Sequence, residues 1–169
     1  MPKVFRTLAL CAAVALPAFS LSGCGFVPLY AQQGLTINLA QIAIDAPQTR
    51  TGYFVEQELR NRLASDDSTP KLYKLVITMK ERNYSIGYRV DDTSTRSEIT
   101  SSVTYKLVNI STNAVILKDT FSETVTYDTS VSPFTGVISQ QNAQQRIATS
   151  ISQKIQTDLA LYFHEKPKP

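Results

Sequence analysis

Residues 96–110 read RSEITSSVTYKLVNI, and apolar and polar side chains alternate along the stretch. Ile99, Val103, Tyr105 and Leu107 share one parity, whereas the positions between them are mostly serine, threonine or charged. Successive side chains of a β-strand point to opposite faces of the sheet. The stretch therefore predicts a strand with one buried and one hydrophilic face, which is typical of an antiparallel sheet covered on one side only.

Two neighbouring stretches, Lys71–Tyr88 and Val115–Tyr127, show the same alternation and predict two more strands. Turn-forming clusters at residues 91–94 (DDTS) and 111–113 (STN) separate the three strands. We expect the uncovered face of this sheet to be polar and mostly neutral. The alternation places these hydroxyl side chains on it: Thr100, Ser102, Thr104, Thr120, Ser122, Thr124 and Thr126.

One helix is predicted before these three strands in the sequence and another after them. Thr51–Ala64 carries Val55, Leu59 and Leu63 at every fourth position, which is the spacing of one helix face. Ser139 is the predicted N-cap of a last helix, which we expect to end near Phe163. The apolar face of that helix is Ala143, Ile147, Ile151, Ile155, Leu159 and Phe163.

The order of the elements predicts the fold class. A short strand over Gln41–Ala46, the second half of the apolar segment Leu35–Ala46, precedes the first helix, and Asp128–Ile138 is predicted to be a loop. Strand, helix, three strands and helix together predict an α+β two-layer sandwich, with two helices on one face of a four-stranded mixed or antiparallel sheet. We expect one such domain over residues 35–163 and a C-terminal tail over 164–169.

The N-terminus has the pattern of an export signal. Lys3 and Arg6 precede the apolar run LALCAAVAL (8–16), which is shorter than the roughly 20 residues that span a bilayer. A basic start, a short apolar run and small residues before a cleavage site are typical of a signal peptide. The run ends in LSGC (21–24), which resembles the lipobox of bacterial lipoproteins.

This pattern predicts a lipoprotein signal peptide over residues 1–23 and a lipidated tether over 24–34, with Cys24 as the acylated residue. An ordinary secretory signal followed by an unmodified cysteine is the alternative. Cys11 leaves with the signal, so the mature chain is expected to have no disulfide and no cysteine metal site. Gly25 stands where inner-membrane lipoproteins have aspartate, which favours the outer membrane.

The mature sequence lacks the residue combinations of common catalytic sites. His164, the one histidine, lies at the end of the last predicted helix, where its positive form interacts favourably with the helix dipole. A Ser–His–acid triad would instead need a buried histidine beside an activated serine. The aspartate pairs at 66–67 and 91–92 lie in turn clusters, where aspartate commonly caps the backbone. We therefore predict that the protein is not an enzyme and needs no metal or cofactor.

A basic cluster is the candidate binding site. Lys80, Arg82, Arg89 and Arg96 surround the predicted turn between the second and third strands. Arginine forks match phosphate geometry, and lysine adds a point charge. Tyrosines at positions 84 and 88 are interleaved and could lie against a sugar or an acyl chain. A solvated hairpin face without a ligand is the alternative interpretation of these residues.

The segment CGFVPLY (24–30) resembles the C-G-F-x-P-L-Y start of mature members of the LptE family of lipopolysaccharide-assembly lipoproteins. The order of the predicted elements, the ELRNRL core of the first helix (58–63) and the long last helix are similar as well. The resemblance implies a two-layer sandwich anchored in the outer membrane. It also implies that the protein plugs the β-barrel LptD, assists its assembly, binds lipopolysaccharide and helps it reach the outer leaflet.

Two function classes stay open at this stage. The first is the plug of a lipopolysaccharide-exporting barrel, for which a hydroxyl-rich sheet face would suit the hydrated lumen. The second is an auxiliary lipoprotein of a periplasmic lipid-transport complex, for which the same face would meet water. A lipid-active hydrolase is a distant third. The residues that we expect to contact lipopolysaccharide are Lys80, Arg82, Arg89 and Arg96.

Overall fold

A four-stranded sheet forms one layer of the computed structural model, which describes residues 35–88, 94–129 and 132–165. Its strands lie in the order β1-β2-β3-β4, with β1 parallel to β2 and the other neighbours antiparallel. The prediction of an α+β sandwich with a mixed sheet is confirmed. The elements are α1 (Leu35–Ala40), β1 (Ile42–Asp45), α2 (Arg50–Leu63), β2 (Tyr73–Tyr88), β3 (Ser94–Asn109), β4 (Val115–Asp128) and α3 (Pro133–Glu165).

The core lies between one face of the sheet and the two long helices. The predicted alternation in β3 is confirmed, because Ile99, Val103, Tyr105 and Leu107 are each fully buried. Alternate burial on a strand leaves the opposite side chains to solvent. The helices contribute the other half of the core, which comprises Val55, Leu59, Leu63, Ile147, Ile151, Ile155 and Leu159.

The N-terminal part of the domain differs from the prediction. The first half of the segment Leu35–Ala46 is the short helix α1, and only Ile42–Asp45 forms a strand. Leu35 and Leu39 are both buried and lie four residues apart, so the apolar spacing of this half is helical. A helical spacing and a strand alternation follow each other within these twelve residues, so the pattern of apolar residues did not show where the helix ends and the strand begins.

The last helix is longer than predicted. It begins at Pro133 and runs to Glu165, about 50 Å at 1.5 Å per residue. The predicted loop over Asp128–Ile138 is therefore wrong from Pro133 onward, and the predicted N-cap at Ser139 is wrong. Proline is well tolerated at the start of a helix, since the N–H that it lacks has no partner there. The added turns do not pack on the core, because Phe134 is 76% exposed.

Helix α2 agrees with the prediction to within one residue at each end. Thr49 is its N-cap, and the Thr49 hydroxyl accepts a hydrogen bond of 3.0 Å from the Gly52 N–H. Ala64 is its C-cap and is in the left-handed conformation with φ of 50°. The helices in the described part of the chain are too short or too polar to cross a membrane.

Gly52 is required where the first turn of α2 meets the preceding chain. A Cβ atom at this position would overlap the carbonyl oxygen of Pro47 and lie 3.0 Å from the Thr49 hydroxyl. Alanine is worth about 1 kcal/mol more than glycine in a helix. We nevertheless expect Gly52→Ala to lower the free energy of unfolding by about 1–3 kcal/mol, because overpacking against backbone outweighs that preference.

Urea denaturation followed by circular dichroism measures this difference. Gln57→Ala in the exposed part of the same helix is the control, and we expect it to change stability by less than about 0.5 kcal/mol. A Gly52→Ala protein as stable as the parent would contradict the packing described here.

Candidate functional site: the uncovered face of the sheet

The face of the sheet opposite the helices carries a ladder of paired hydroxyl groups across β3 and β4. Each pair joins residues that are direct cross-strand partners. A hydroxyl has one donor and two acceptor positions, so each pair keeps hydrogen-bonding capacity for an outside group. The oxygen–oxygen distances are 3.1 Å for Thr100–Thr124, 3.2 Å for Ser102–Ser122 and 3.0 Å for Thr104–Thr120. We call these six residues the hydroxyl ladder.

Basic residues of the predicted cluster flank this ladder. Lys80 is the cross-strand partner of Ser102, and Arg82 is the partner of Thr100, so both side chains lie on the uncovered face. Arg96 lies on the same face, four residues before Thr100. The structure thus brings three of the four predicted binding residues to one face, and Arg89 lies outside the described residues.

The charges in this cluster are unequally compensated. Arg96 lies 3.5 Å from Asp128, and both side chains are more than half exposed. Exposed pairs of this kind contribute little to stability. Within residues 35–88, 94–129 and 132–165, neither Lys80 nor Arg82 has an ion pair, which leaves two uncompensated positive charges beside the ladder.

Two further lysines share this face at its other end. Lys106 and Lys118 are direct cross-strand partners on β3 and β4, and both are exposed. The sequence analysis did not single them out. Their parity with Thr104 and Thr120 placed them on the uncovered face, but only the register places them opposite each other.

Asp66, one of the residues considered for catalysis, caps a turn. Asp66 accepts hydrogen bonds from the Thr69 N–H at 3.1 Å and the Thr69 hydroxyl at 2.9 Å. Hydrogen bonds from Ser68 and Thr69 hold the pKa of Asp66 below its usual range. This is the behaviour of a turn-capping aspartate. His164 is exposed near the end of α3, and Asp91 and Asp92 lie outside the described residues.

A small cavity of about 150 Å³ on the helix-covered side is lined in part by Met79, Glu81 and Gln144. Glu81 accepts hydrogen bonds from the Thr51 hydroxyl at 2.5 Å and from the Gln144 amide at 3.3 Å. These bonds tie α2 and α3 to the sheet. No group of histidine, cysteine or carboxylate side chains suited to a metal occurs in the described segments.

Comparison with known proteins gives matches among solved structures. The structure of a predicted lipoprotein from Caulobacter crescentus CB15 matches with a TM-score of 0.69 and 32% identity, over 80% of this chain and 99% of that one. Rare lipoprotein B from Shewanella oneidensis matches with a TM-score of 0.55 and 8% identity, over 73% of this chain and 96% of that one. A minor lipoprotein from Acinetobacter baumannii matches with a TM-score of 0.51 and 13% identity, over 71% and 88% of the two chains.

No family model and no curated protein sequence matches the chain. At 8% and 13% identity, the Shewanella and Acinetobacter structures show a common fold and nothing more. The Caulobacter protein is related in sequence as well, and nearly its whole length is matched. On that identity and coverage, together with the shared sandwich fold, the chain belongs to the same lipoprotein family as the Caulobacter crescentus protein.

Proposed function

We propose that this lipoprotein is held in the outer membrane through acylated Cys24 and plugs the lumen of the β-barrel LptD. In that position it assists barrel assembly and helps lipopolysaccharide reach the outer leaflet. The observation that carries the proposal is the hydroxyl ladder, a neutral hydrogen-bonding surface on a sheet face without a covering layer. The inner walls of large membrane barrels are polar, so such a face is complementary to them.

The length of the strands supports the same position. Strands β2 and β3 each have 16 residues, about 50 Å at 3.3 Å per residue. The hydrocarbon core of a bilayer is about 30 Å thick. A sheet of this length is therefore long enough to span a barrel wall and to extend beyond it at one end. The fold shared with rare lipoprotein B and the CGFVPLY start are compatible with this role.

A bulky side chain in the middle of the ladder tests the barrel contact. Ser102 is exposed there, and Ser102→Trp should leave the core intact while preventing the face from approaching a wall. We expect this variant to lose most of the barrel that co-purifies with the lipidated protein from detergent-solubilised outer membrane. Gln57→Trp, on the exposed face of α2, is the matched control and should retain the barrel.

The alternative role, an auxiliary lipoprotein of a periplasmic lipid-transport complex, makes a different prediction for the same preparation. The parent protein would then co-purify with periplasmic or inner-membrane components. Absence of a large β-barrel from the parent preparation would overturn the plug proposal.

We propose a binding role for the basic cluster and no catalytic role for the domain. The phosphate groups of lipopolysaccharide would meet Lys80 and Arg82, with Arg96 on the same face, while the ladder offers hydroxyl groups to its sugars. Hydrogen bonds to charged groups contribute about 1.5–3 kcal/mol each. Arginine can supply two such bonds to one phosphate.

The double variant Lys80→Ala with Arg82→Ala is therefore expected to bind lipopolysaccharide at least about tenfold more weakly than the parent. Binding is measured with the purified lipoprotein in detergent, free of the barrel. Arg50→Ala with Arg60→Ala removes the same charge from α2 in the helix layer and should leave the affinity unchanged. Equal affinity of the parent and the Lys80/Arg82 variant would contradict the assignment.

A further inference from the structure

One end of the sandwich exposes a contiguous set of large apolar side chains. Leu72, Ile110 and Val115 are 48%, 50% and 54% exposed. Leu72 and Ile110 are neighbours, since the Ile110 N–H donates to the Leu72 carbonyl at 3.0 Å. Val115 is the cross-strand partner of Val108, which lies two residues before Ile110. We call these three residues the apolar rim. Scattered exposed apolar residues are ordinary, whereas a contiguous group marks a contact surface.

A row of three lysines lies beside this rim on the uncovered face of the sheet. Lys106 and Lys118 are direct partners, and Lys74 lies diagonally across from Lys106 on β2. Like charges directly opposite each other destabilise a sheet. Lys74 contacts Asp45 at 2.8 Å, but neither Lys106 nor Lys118 has an ion pair among the described residues. An outside anion would remove this repulsion.

The acidic residues at this end do not neutralise the lysine row. Asp66 and Asp67 lie in the turn after α2, where Asp66 caps its own turn and Asp67 contacts Arg60 at 3.6 Å. Asp119 is the cross-strand partner of Tyr105, so it lies on the helix-covered face of the sheet. The combination of an apolar rim and uncompensated lysines is that of a surface which meets the headgroup region of an anionic membrane.

The chain enters the domain at the same end. Helix α1 begins at Leu35, and the carbonyl of Gln41, directly after α1, accepts a hydrogen bond of 3.0 Å from the Leu72 N–H. Ile37 of α1 is 61% exposed. The eleven residues 24–34 reach at most about 40 Å when fully extended. An acyl chain on Cys24 would therefore hold the start of α1 within about 40 Å of the membrane.

We infer that this end of the sandwich rests on an anionic phospholipid surface. The apolar rim enters the boundary between headgroups and acyl chains, and Lys74, Lys106 and Lys118 contact headgroup phosphates. A basic patch beside a lipid anchor adds electrostatic attraction to anionic headgroups. The inference depends on acylation of Cys24 and is independent of the barrel.

Site-directed spin labelling of the full-length lipidated protein in vesicles tests the inference. The mature chain has no thiol other than Cys24, so a cysteine introduced by Thr112→Cys, in the exposed turn beside the rim, is labelled alone. A water-soluble nickel chelate reports exposure of the spin label to water, and molecular oxygen reports its contact with lipid. In vesicles that contain phosphatidylglycerol we expect the label to lose most of its nickel accessibility, and in pure phosphatidylcholine to keep it.

Lys106→Ser with Lys118→Ser is the decisive variant. Each lysine near an anionic surface strengthens membrane binding about fivefold. Loss of both lysines is therefore expected to weaken binding to anionic vesicles about 25-fold and to restore nickel accessibility. A label at Gln57→Cys, on the exposed face of α2, should stay accessible throughout.

Two outcomes would overturn the inference. One is equal nickel accessibility of the Thr112 label in anionic and neutral vesicles. The other is a label that stays accessible in all vesicles but is protected in the complex isolated from cells, which would assign this end to a protein partner. A failed barrel purification would leave the vesicle result unchanged, so the two proposals fail separately.

Discussion

Replacing Cys24 by serine is expected to abolish acylation of the protein completely. The thiol is the only group in the LSGC segment that can form the thioether bond to the diacylglyceryl group of a lipoprotein, and serine retains the size of the side chain without that reactivity. Since acylation precedes cleavage in this pathway, the variant should also keep residues 1–23. Incorporation of labelled palmitate and the mass of the intact protein measure both effects.

Cys11→Ser is the matched control for this experiment. Cys11 lies within the apolar run of the predicted signal peptide and leaves with it, so this variant should be acylated and cleaved like the parent. Labelled palmitate in the Cys24→Ser protein would show that the anchor lies elsewhere. Residues 24–34 would then not join the domain to an acyl anchor at Cys24.

Truncation of Tyr105 is expected to cause the largest loss of stability among single substitutions in the sheet. Tyr105 is fully buried, and its hydroxyl donates a hydrogen bond of 2.8 Å to Asp158 of α3. Asp158 in turn accepts from the Lys154 ammonium at 2.6 Å. The ring packs edge to face on Phe121, with ring centroids 6.3 Å apart. Tyr105 therefore joins β3, β4 and α3.

Two variants separate packing from hydrogen bonding. Tyr105→Ala should lower the free energy of unfolding by about 3–5 kcal/mol, as other buried aromatic truncations do. Tyr105→Phe keeps the ring and removes the hydrogen bond to a charged acceptor. We expect it to lower the free energy of unfolding by about 1.5–3 kcal/mol. Urea denaturation at neutral pH measures both. A Tyr105→Phe protein as stable as the parent would show that the bond to Asp158 contributes nothing to stability.

The same residue predicts a dependence of stability on alkaline pH. Burial and the hydrogen bond to Asp158 raise the pKa of Tyr105 far above its usual range. The unfolded chain releases this proton near pH 10, and the folded chain retains it to higher pH. The stabilisation is therefore fully present below about pH 10 and decreases by about 1.4 kcal/mol per pH unit above it. Tyr105→Phe should lack this slope.

The fold was predictable wherever one period governed a long stretch. Ile99, Val103, Tyr105 and Leu107 alternate with polar residues, and the tertiary structure buries all four. The start of α3 was not predictable in this way, because Phe134, Val137 and Ile138 are all more than two-fifths exposed and carry no stripe that points to the core. Helix α1 was missed because its six residues contain a single helical spacing, Leu35 to Leu39, and are followed almost directly by a strand.

The candidate site was predictable in part. Parity placed Lys80 and Arg82 on one face of β2, because side chains alternate on any regular strand. Whether Arg96 joined them depended on the turn between the strands, and the antiparallel register brings all three to the same face. The opposition of Lys106 and Lys118 had no sequence signal, since it depends on pairing between two strands.

The sequence alone predicts an exported lipoprotein with an α+β domain and a hydrophilic sheet face, and the α+β fold is confirmed. These properties follow from local patterns, namely the period of apolar residues and the identity of neighbouring side chains. The tertiary structure adds the pairing of the hydroxyl groups into a ladder and the opposition of Lys106 and Lys118. It also decided that the chain enters beside the apolar rim, because these relations depend on strand register and on contacts between residues far apart in the chain.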